Sequence, residues 1–195
     1  FSSGGALNTA RRSLASANAA AQDASLAFGG ATGPTSNQSL TEEYNGSSWT
    51  ASGALNVARF ALAGAGQQNA TVAFGGYDAK TCVELYDGIN WSLGPKMNTG
   101  RDLLNGAGTQ NEALAFGGSP SYCSTEEFTC ATSTCIGVWS FGGNLITGRC
   151  SGGGAGSQNA GLVFGGRNPS DTTDTEEYGG ISWSAGGAMI NQGHQ

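Results

Sequence analysis

Arginine and glutamate side chains recur along this sequence in a fixed order, and they are the first candidates for chemistry. In two of the copies the arginine precedes its glutamate by 25 residues. A guanidinium and a carboxylate at such regular positions can form an ion pair, whereas a catalytic acid/base pair usually occurs once per protein. The repetition therefore predicts structural ion pairs between strands or between repeat units, with tyrosine and tryptophan packing nearby. The residues are Arg59, Arg101 and Arg149, with Arg11 opening the series, and Glu42, Glu84, Glu126 and Glu176.

Histidine chemistry is nearly absent from the sequence. The single histidine, His194, lies next to the last residue, which argues against histidine-based triads and most zinc or copper sites. The five cysteines show no paired Cys-x-x-Cys spacing of the kind that holds structural zinc. We predict that the protein is not an enzyme and that it holds no metal and no cofactor.

An insertion in the third copy suggests a disulfide. Phe128 and Trp139 are 11 residues apart, where the same interval in the other copies is 5. Cys130 and Cys135 lie inside this insertion. We expect them to form a disulfide that closes the tip of the loop.

A second disulfide is predicted between Cys123 and Cys150, which flank the same copy and leave Cys82 over. Disulfides that close loops indicate an oxidising compartment. The alternative is a set of five buried, reduced thiols, because free cysteine is often buried.

Four Asn-x-Ser/Thr sequons are candidate sites for covalent N-linked glycans. Such sequons also arise by chance in a chain rich in asparagine, serine and threonine, so both readings stay open. The candidate residues are Asn37, Asn45, Asn69 and Asn90.

The elements that position these residues form an internal repeat. A Phe-Gly-Gly step ends each apolar run, an acidic segment with a terminal aromatic residue follows, and then a tryptophan. Four ordered landmarks in four successive copies are not a chance arrangement. The tryptophans, at intervals of 42, 48 and 44 residues, are Trp49, Trp91, Trp139 and Trp183.

Each copy has the pattern of two β-hairpins. Apolar runs such as Val72–Phe74 end at Gly-Gly, as buried strands do. Tyr86-Asp87-Gly88 carries a signal for a two-residue hairpin turn. Gln68-Asn69, just before an apolar run, is typical of another turn. Two hairpins make four strands per copy.

The order of arginine, Gly-Gly, Glu-x-Tyr and tryptophan resembles the kelch repeat over essentially the whole chain. The second copy is the closest, with Val83-Glu84-Leu85-Tyr86-Asp87 and a later Arg101. The resemblance implies an all-β fold, a single domain over residues 1–195, and a four-bladed β-propeller of kelch-like four-stranded blades. Residues 1–11 and 183–189 both align with residues 49–59, which predicts a ring closed within one chain. The alternative is that residues 186–195 dock on a neighbouring subunit.

Charge and composition argue against two classes of partner, nucleic acid and the membrane interior. The net charge of −6 and the lack of a basic stripe argue against nucleic acid. No run of 18 apolar residues is present, so we predict no membrane span.

Several features favour a stable structural protein over an enzyme: low charge, small residues, sequons and the predicted disulfides. We expect a secreted or cell-surface structural protein that self-assembles as a homo-oligomer or polymer into a filament, tube or surface layer, with covalent glycans. The alternative is a kelch-like binding module, an adhesin, lectin-like or phage fibre domain. It would recognise a glycan or protein through loops 31–40, 130–135 and 167–173. A propeller enzyme of the sugar-oxidase kind is the least favoured, because the sequence has a single histidine. A fold alone does not choose among these three functions.

Overall fold

The structure, a computed structural model, describes residues 4–17, 20–34, 36–78, 80–130 and 137–190. Over these ranges it contains 16 β-strands and no helix. The strands form four sheets, each of four consecutive antiparallel strands. The all-β class and the four strands per copy are confirmed.

The sheets are numbered here in chain order. Sheet 1 contains β1 (Ala15–Ser16), β2 (Ser25–Phe28), β3 (Thr41–Tyr44) and β4 (Trp49–Ser52). Sheet 2 contains β5 (Ala63–Gln67), β6 (Ala70–Phe74), β7 (Val83–Tyr86) and β8 (Trp91–Leu93). Sheet 3 contains β9 (Asn105–Gly108), β10 (Glu112–Phe116), β11 (Thr125–Thr129) and β12 (Val138–Phe141). Sheet 4 contains β13 (Gly153–Ser157), β14 (Ala160–Phe164), β15 (Thr175–Tyr178) and β16 (Trp183–Ala185).

The hairpin between β7 and β8 shows how the local sequence sets the register. Asp87 Oδ1 accepts the backbone N–H of Ile89 at 2.9 Å and of Asn90 at 2.7 Å. These hydrogen bonds, first that of Asn90 and then that of Ile89, lower the pKa of the Asp87 carboxyl. Gly88 supplies the positive φ of 97° that the turn requires. Tyr86 is thereby placed opposite Trp91 in the ladder.

Apolar clusters lie between consecutive sheets, so the core is divided into three joints. Each joint is centred on a phenylalanine from the second strand of one sheet and a tryptophan from the fourth strand of the next. The ring centroids are 5.0 Å apart in Phe28–Trp91, 5.3 Å in Phe74–Trp139 and 5.1 Å in Phe116–Trp183. Such aromatic pairs add to the stabilisation from burial.

The first strands of sheets 2 to 4 approach each other closely, and this explains part of the glycine content. A Cβ added at Gly106 would lie 2.5 Å from the carbonyl oxygen of Gly64 and 2.8 Å from Cζ of Phe74. A Cβ added at Gly154 would lie 2.8 Å from the carbonyl oxygen of Gly106. Only glycine allows these backbones to meet.

We predict that Gly106→Ala destabilises the fold by about 1–3 kcal/mol, because the new methyl group overpacks the joint against backbone atoms. The matched control is Gly179→Ala, since no heavy atom lies within 4 Å of a Cβ at that exposed turn. Thermal and urea unfolding measure both. Equal stability of the two variants would contradict this packing.

The predicted closure of a ring within one chain is not seen in the described part. No hydrogen bond, ring pair or apolar cluster among these residues joins sheet 4 to sheet 1. Phe164 is 36% exposed, whereas the equivalent Phe28, Phe74 and Phe116 are fully buried. Within the described residues, sheets 1 to 4 therefore form a series with two end faces, one on sheet 1 and one on sheet 4. Among the described residues there is also no helix long and apolar enough to cross a membrane.

Candidate functional site

A buried arginine fastens two segments of each sheet together. Arg101 Nη1 donates to the carbonyl oxygens of Gly117 at 2.9 Å and Ser124 at 2.6 Å. Its Nη2 donates to Glu126 Oε1 at 3.1 Å, and both side chains are fully buried. The guanidinium therefore joins the Gly-Gly corner to the start of β11.

The glutamate of the pair holds the segment that enters the sheet. Glu126 Oε2 accepts the backbone N–H of Asn98 at 2.7 Å, and Oε1 accepts that of Thr99 at 3.1 Å. These donors belong to the linker that follows β8. The same arrangement recurs with nitrogen–oxygen distances of 2.7, 3.1 and 2.5 Å in Arg11–Glu42, Arg59–Glu84 and Arg149–Glu176.

Burial sets the electrostatics of these pairs. It lowers the pKa of Arg101, and the charge and hydrogen bond of Glu126 oppose that shift. Burial also lowers the pKa of Arg59, against the opposing effects of Cys82 and then Glu84. Because arginine does not lose its proton in proteins, each guanidinium remains charged and depends on its carboxylate. These predicted residues form four separate pairs, one per sheet.

We predict that Arg101→Ala destabilises the protein by about 3–5 kcal/mol, because it leaves the Glu126 carboxylate buried without its counterion. Arg12→Ala is the matched control. Its side chain is exposed, so the change in the free energy of unfolding should stay within about 0.5 kcal/mol. Chemical denaturation gives both values. An Arg101→Ala variant as stable as the control would show that the pair is dispensable.

The tryptophans lie at the joints, with one exception. Trp91, Trp139 and Trp183 are buried, each against a phenylalanine of the preceding sheet. Trp91 Nε1 also donates across the joint to Thr41 Oγ1 at 2.9 Å. Trp49 in sheet 1 is only partly buried, and among the described residues its ring pairs only with Tyr44 of its own sheet.

Phenol–carboxylate hydrogen bonds across the joints were not expected from the sequence. Tyr86 Oη donates to Glu43 Oε1 of the preceding sheet at 2.5 Å, and Tyr178 Oη donates to Glu127 Oε1. At the middle joint the glutamate is replaced by Leu85 and the tyrosine by Phe128, and Leu85 packs against the cluster that contains Phe128. The two positions therefore change together from polar to apolar.

Glutamine side chains make a further contact that the sequence reading missed. Gln68 Nε2 donates to the carbonyl oxygens of Ser25 at 3.1 Å and Tyr44 at 2.9 Å in the preceding sheet. Gln110 and Gln158 repeat these bonds at the next two joints. The Gln-Asn segments were expected to be hairpin turns alone. Their recurrence in every copy was the signal for a second role.

We predict a loss of stability at high pH from the two joint tyrosines. Burial, followed by the hydrogen bond to Glu43, raises the pKa of Tyr86 from 10.0 to about 12. Burial and then the hydrogen bond to Glu127 raise the pKa of Tyr178 to about 12. Because the folded state holds these protons more tightly, their contribution is complete below pH 10.0 and is lost as the pH rises towards about 12.

The test compares the wild type with the double variant Tyr86→Phe/Tyr178→Phe by chemical denaturation at several pH values. The variant should lose less stability over that interval. An ultraviolet titration of the five tyrosines should show two fewer groups that ionise late. Identical pH profiles would contradict the assignment.

The two end faces carry the unpaired halves of such a joint. Sheet 1 presents Trp49 and Tyr44, which elsewhere contact a preceding sheet. Sheet 4 presents Phe164 and Glu177, both exposed, which elsewhere contact a following sheet. Gln22 of sheet 1 is exposed as well, and no hydrogen bond of its side chain occurs in the described part of the chain. This pair of faces is the candidate functional site.

The second predicted disulfide is wrong, because Cys123 and Cys150 are free thiols, as is Cys82. The Cys150 thiol points to the carbonyl oxygen of Arg167, 3.6 Å away. The exposed Cys123 sulfur lies instead against Gly148, where an added Cβ would be 2.7 Å from it. The pair of Cys130 and Cys135 stays a prediction, since Cys135 lies outside the described residues.

The four sequon asparagines, Asn37, Asn45, Asn69 and Asn90, are all exposed. Asn45 Oδ1 accepts the backbone N–H groups of Ser47 and Ser48, both at 3.0 Å, which leaves the amide nitrogen directed away from these bonds. Exposure makes each asparagine accessible, and occupation by sugar stays a prediction.

Comparison with known proteins gives no family assignment. No protein-family model matches the chain, and no curated protein sequence matches it either.

Proposed function

We propose that the protein is a secreted structural protein whose four sheets are consecutive kelch-like blades of a β-propeller left open between sheets 4 and 1, and that copies join head to tail into a filament, tube or layer. The single observation that carries the proposal is the pair of complementary end faces. Each end face repeats one half of a joint that the chain already forms three times, so the partner with the right surface is a second copy of this chain.

The polar groups of the end faces are matched as well as the apolar ones. The internal joints pair a glutamate with a tyrosine or a leucine with a phenylalanine. At the ends, Glu177 on sheet 4 has the carboxylate that the Tyr44 hydroxyl on sheet 1 would require. Gln22 of sheet 1 would likewise meet the carbonyl oxygens of Gly161 and Tyr178, which correspond to the acceptors at the internal joints.

Backbone hydrogen-bonding groups at the two ends of the series are complementary as well. Ala61 N–H donates to the carbonyl oxygen of Ser13, Leu103 N–H to that of Ala61, and Ser151 N–H to that of Leu103, each at 2.9 Å. This series leaves the N–H of Ser13 at one end and the carbonyl oxygen of Ser151 at the other. A contact between different surfaces of two copies is heterologous, and it yields rings or open helices according to the rotation per copy.

One position departs from the repeat. Sheets 2 to 4 have a glycine where the first strand meets the preceding sheet, and sheet 1 has Ser16. By analogy with Gly64, whose added Cβ would lie 2.5 Å from the ring of Phe28, the Ser16 side chain would press on Phe164. The ring of Phe164 therefore has to shift when the joint forms, which weakens association relative to the internal joints.

The linker segments are also duplicated. Met189 N–H donates to the carbonyl oxygen of Thr173, as linker residues do at the internal joints, whereas Asn8 N–H donates to Glu42. At a joint between copies, residues 186–189 of one copy and residues 4–7 of the next correspond to the same linker positions. Both segments cannot occupy these positions at once, so one of them has to be displaced when two copies join.

The extracellular location is supported by the exposed sequons and by the proposed Cys130–Cys135 disulfide. The three free thiols give that location no support. Covalent glycans on the four exposed asparagines belong to the same proposal, because they require passage through a glycosylating compartment.

The test of assembly uses two single-face variants, Trp49→Ala and Phe164→Ala. Each loses one half of the joint, so each alone should remain largely monomeric in sedimentation velocity, while the wild type forms a concentration-dependent series of oligomers. An equimolar mixture should form dimers and nothing larger, since the intact faces join and the altered faces end the series. Leu93→Ala, an exposed position of sheet 2 (68% exposed), is the control that should assemble like the wild type.

Ser16→Gly provides an independent check in the opposite direction, because removal of the side chain should tighten association. A strictly monomeric wild type with Trp49 fluorescence typical of a buried ring would instead indicate the four-bladed ring closed within one chain. A mixture of the two single-face variants that stays monomeric would contradict head-to-tail assembly.

A further inference from the structure

One backbone-to-backbone contact recurs at the same position of all four copies, but the side chains at that position differ from copy to copy. The first member of each pair follows the buried arginine, and the second follows the Gly-Gly corner. Three pairs are antiparallel bridges, and in the fourth the Tyr77 N–H donates to the carbonyl oxygen of Phe60 at 2.8 Å. We name them the rim pairs: Arg12/Ala31, Phe60/Tyr77, Asp102/Ser119 and Cys150/Arg167.

The backbone that carries the rim pairs is held in place by an unusual conformation. The residue after each first member has positive φ without being glycine, with values of 50°, 54°, 51° and 56° at Ser13, Ala61, Leu103 and Ser151. Non-glycine residues in this region cost about 1–2 kcal/mol each, and such residues cluster at functional sites. The hydrogen bonds from Ala61 to Ser13 and onward hold these turns side by side.

Comparison of the four copies distinguishes the positions that keep one residue type from the positions that vary. The arginine, the Gly-Gly corner, the glutamate and the tryptophan are kept in all four copies, while the rim pairs differ in charge, size and polarity. A scaffold that needed these positions for packing would keep their type, as it keeps the phenylalanine and the tryptophan of the joints. Divergence at one place of a conserved frame is the pattern expected where side chains contact something other than the frame.

Three rim pairs converge on one cavity. Phe60 and Tyr77, Asp102 and Ser119, and Cys150 and Arg167 all line a space of about 440 Å³. This volume lies in the range of small-molecule sites, which combine aromatic walls with a few polar groups. The cavity thus lies across sheets 2, 3 and 4.

Its aromatic wall suits the face of a sugar ring. The rings of Phe60 and Tyr77 are stacked, with centroids 4.7 Å apart and an angle of 20° between the planes. Tyr77 is 55% exposed although it lies beside the cavity. A flat apolar surface that is supported from behind and open in front binds the C–H face of a pyranose at little cost in side-chain entropy.

Its cationic group suits a carboxylate. The Arg167 side chain is exposed, and in the described part of the chain its guanidinium takes part in no ion pair or hydrogen bond. The four ion pairs there all use other arginines. A guanidinium recognises a carboxylate through two parallel hydrogen bonds. The Ser119 hydroxyl, which also lines the cavity, adds a group that a sugar hydroxyl can contact.

We propose that this cavity is a binding site for an acidic sugar, a pyranose that carries a carboxylate, as a free monosaccharide or as a unit of a polysaccharide. Tyr77 stacks on the ring and Arg167 binds the carboxylate. The cavity lining includes neither Trp49 nor Phe164, so binding of the sugar can be tested separately from head-to-tail assembly.

The test is a titration of the full chain with sodium glucuronate, in which binding is measured by calorimetry and by chemical-shift changes in NMR. Saturable binding with a Kd on the order of 0.1–10 mM is expected for one sugar unit. Arg167→Gln should weaken it at least about tenfold through loss of the charge-assisted pair. Tyr77→Ala should weaken it severalfold. Both residues are exposed, and thermal melting verifies that the variants fold.

Lys96→Gln is the charge-matched control, because it removes one exposed positive charge outside the cavity. It should bind glucuronate as the wild type does, and neutral methyl glucoside should bind more weakly than glucuronate. A titration with oligoglucuronate distinguishes a polymer unit from a free sugar by its tighter binding. The proposal is overturned by absence of saturable binding, by equal binding of the neutral glucoside, or by an equal effect of Lys96→Gln and Arg167→Gln.

Discussion

Each sheet depends on a guanidinium and a carboxylate that are removed from water together. The arginine holds the Gly-Gly corner and the start of the third strand, and the glutamate holds the incoming linker, so one pair fixes three segments that are distant in sequence. A buried pair of this kind contributes little net stability compared with an apolar pair of similar volume. Removal of only one partner is costly, because it leaves the other charge buried and uncompensated. The pair is therefore best understood as a device that specifies where the linker enters. Its recurrence makes the four sheets alike.

Alike sheets can be joined by one kind of interface, and the chain uses it three times. Phenylalanine meets tryptophan, glutamine reaches two carbonyl oxygens, and the glycine of each first strand lets the backbones approach. The coupled exchange at Leu85 and Phe128, against Glu43 and Tyr86, indicates that the joint tolerates a polar or an apolar pair but not a mixed one. The end faces carry the same kinds of residue, except that Ser16 stands where the first strands of sheets 2 to 4 have a glycine.

The sequence predicted the sheets because their signals are local. Val72–Phe74 before Gly-Gly and Tyr86-Asp87-Gly88 define strands and turns within a few residues, and the recurring Arg101 and Glu126 indicated a pair. Contacts between copies were harder to foresee. Gln68 is indistinguishable from an ordinary turn residue until its side chain is seen to cross the joint, and the phenol of Tyr86 finds Glu43 only after two sheets are packed. Cys123 and Cys150 flank one copy, yet their side chains diverge, which spacing alone does not reveal. The step from sheet to sheet depends on packing angles that no local pattern encodes.

The most direct measurement of the central claim is a double-mutant cycle on Arg101 and Glu126 with Arg101→Met, Glu126→Leu and the combined variant. If the pair acts as a unit, each single change leaves one buried charge uncompensated and costs about 3–5 kcal/mol of unfolding free energy. The combined variant should then be more stable than the sum of the single losses predicts, by more than about 1 kcal/mol. Losses that simply add would contradict the account, because they would mean that the two side chains contribute separately and do not jointly fix the linker to the sheet.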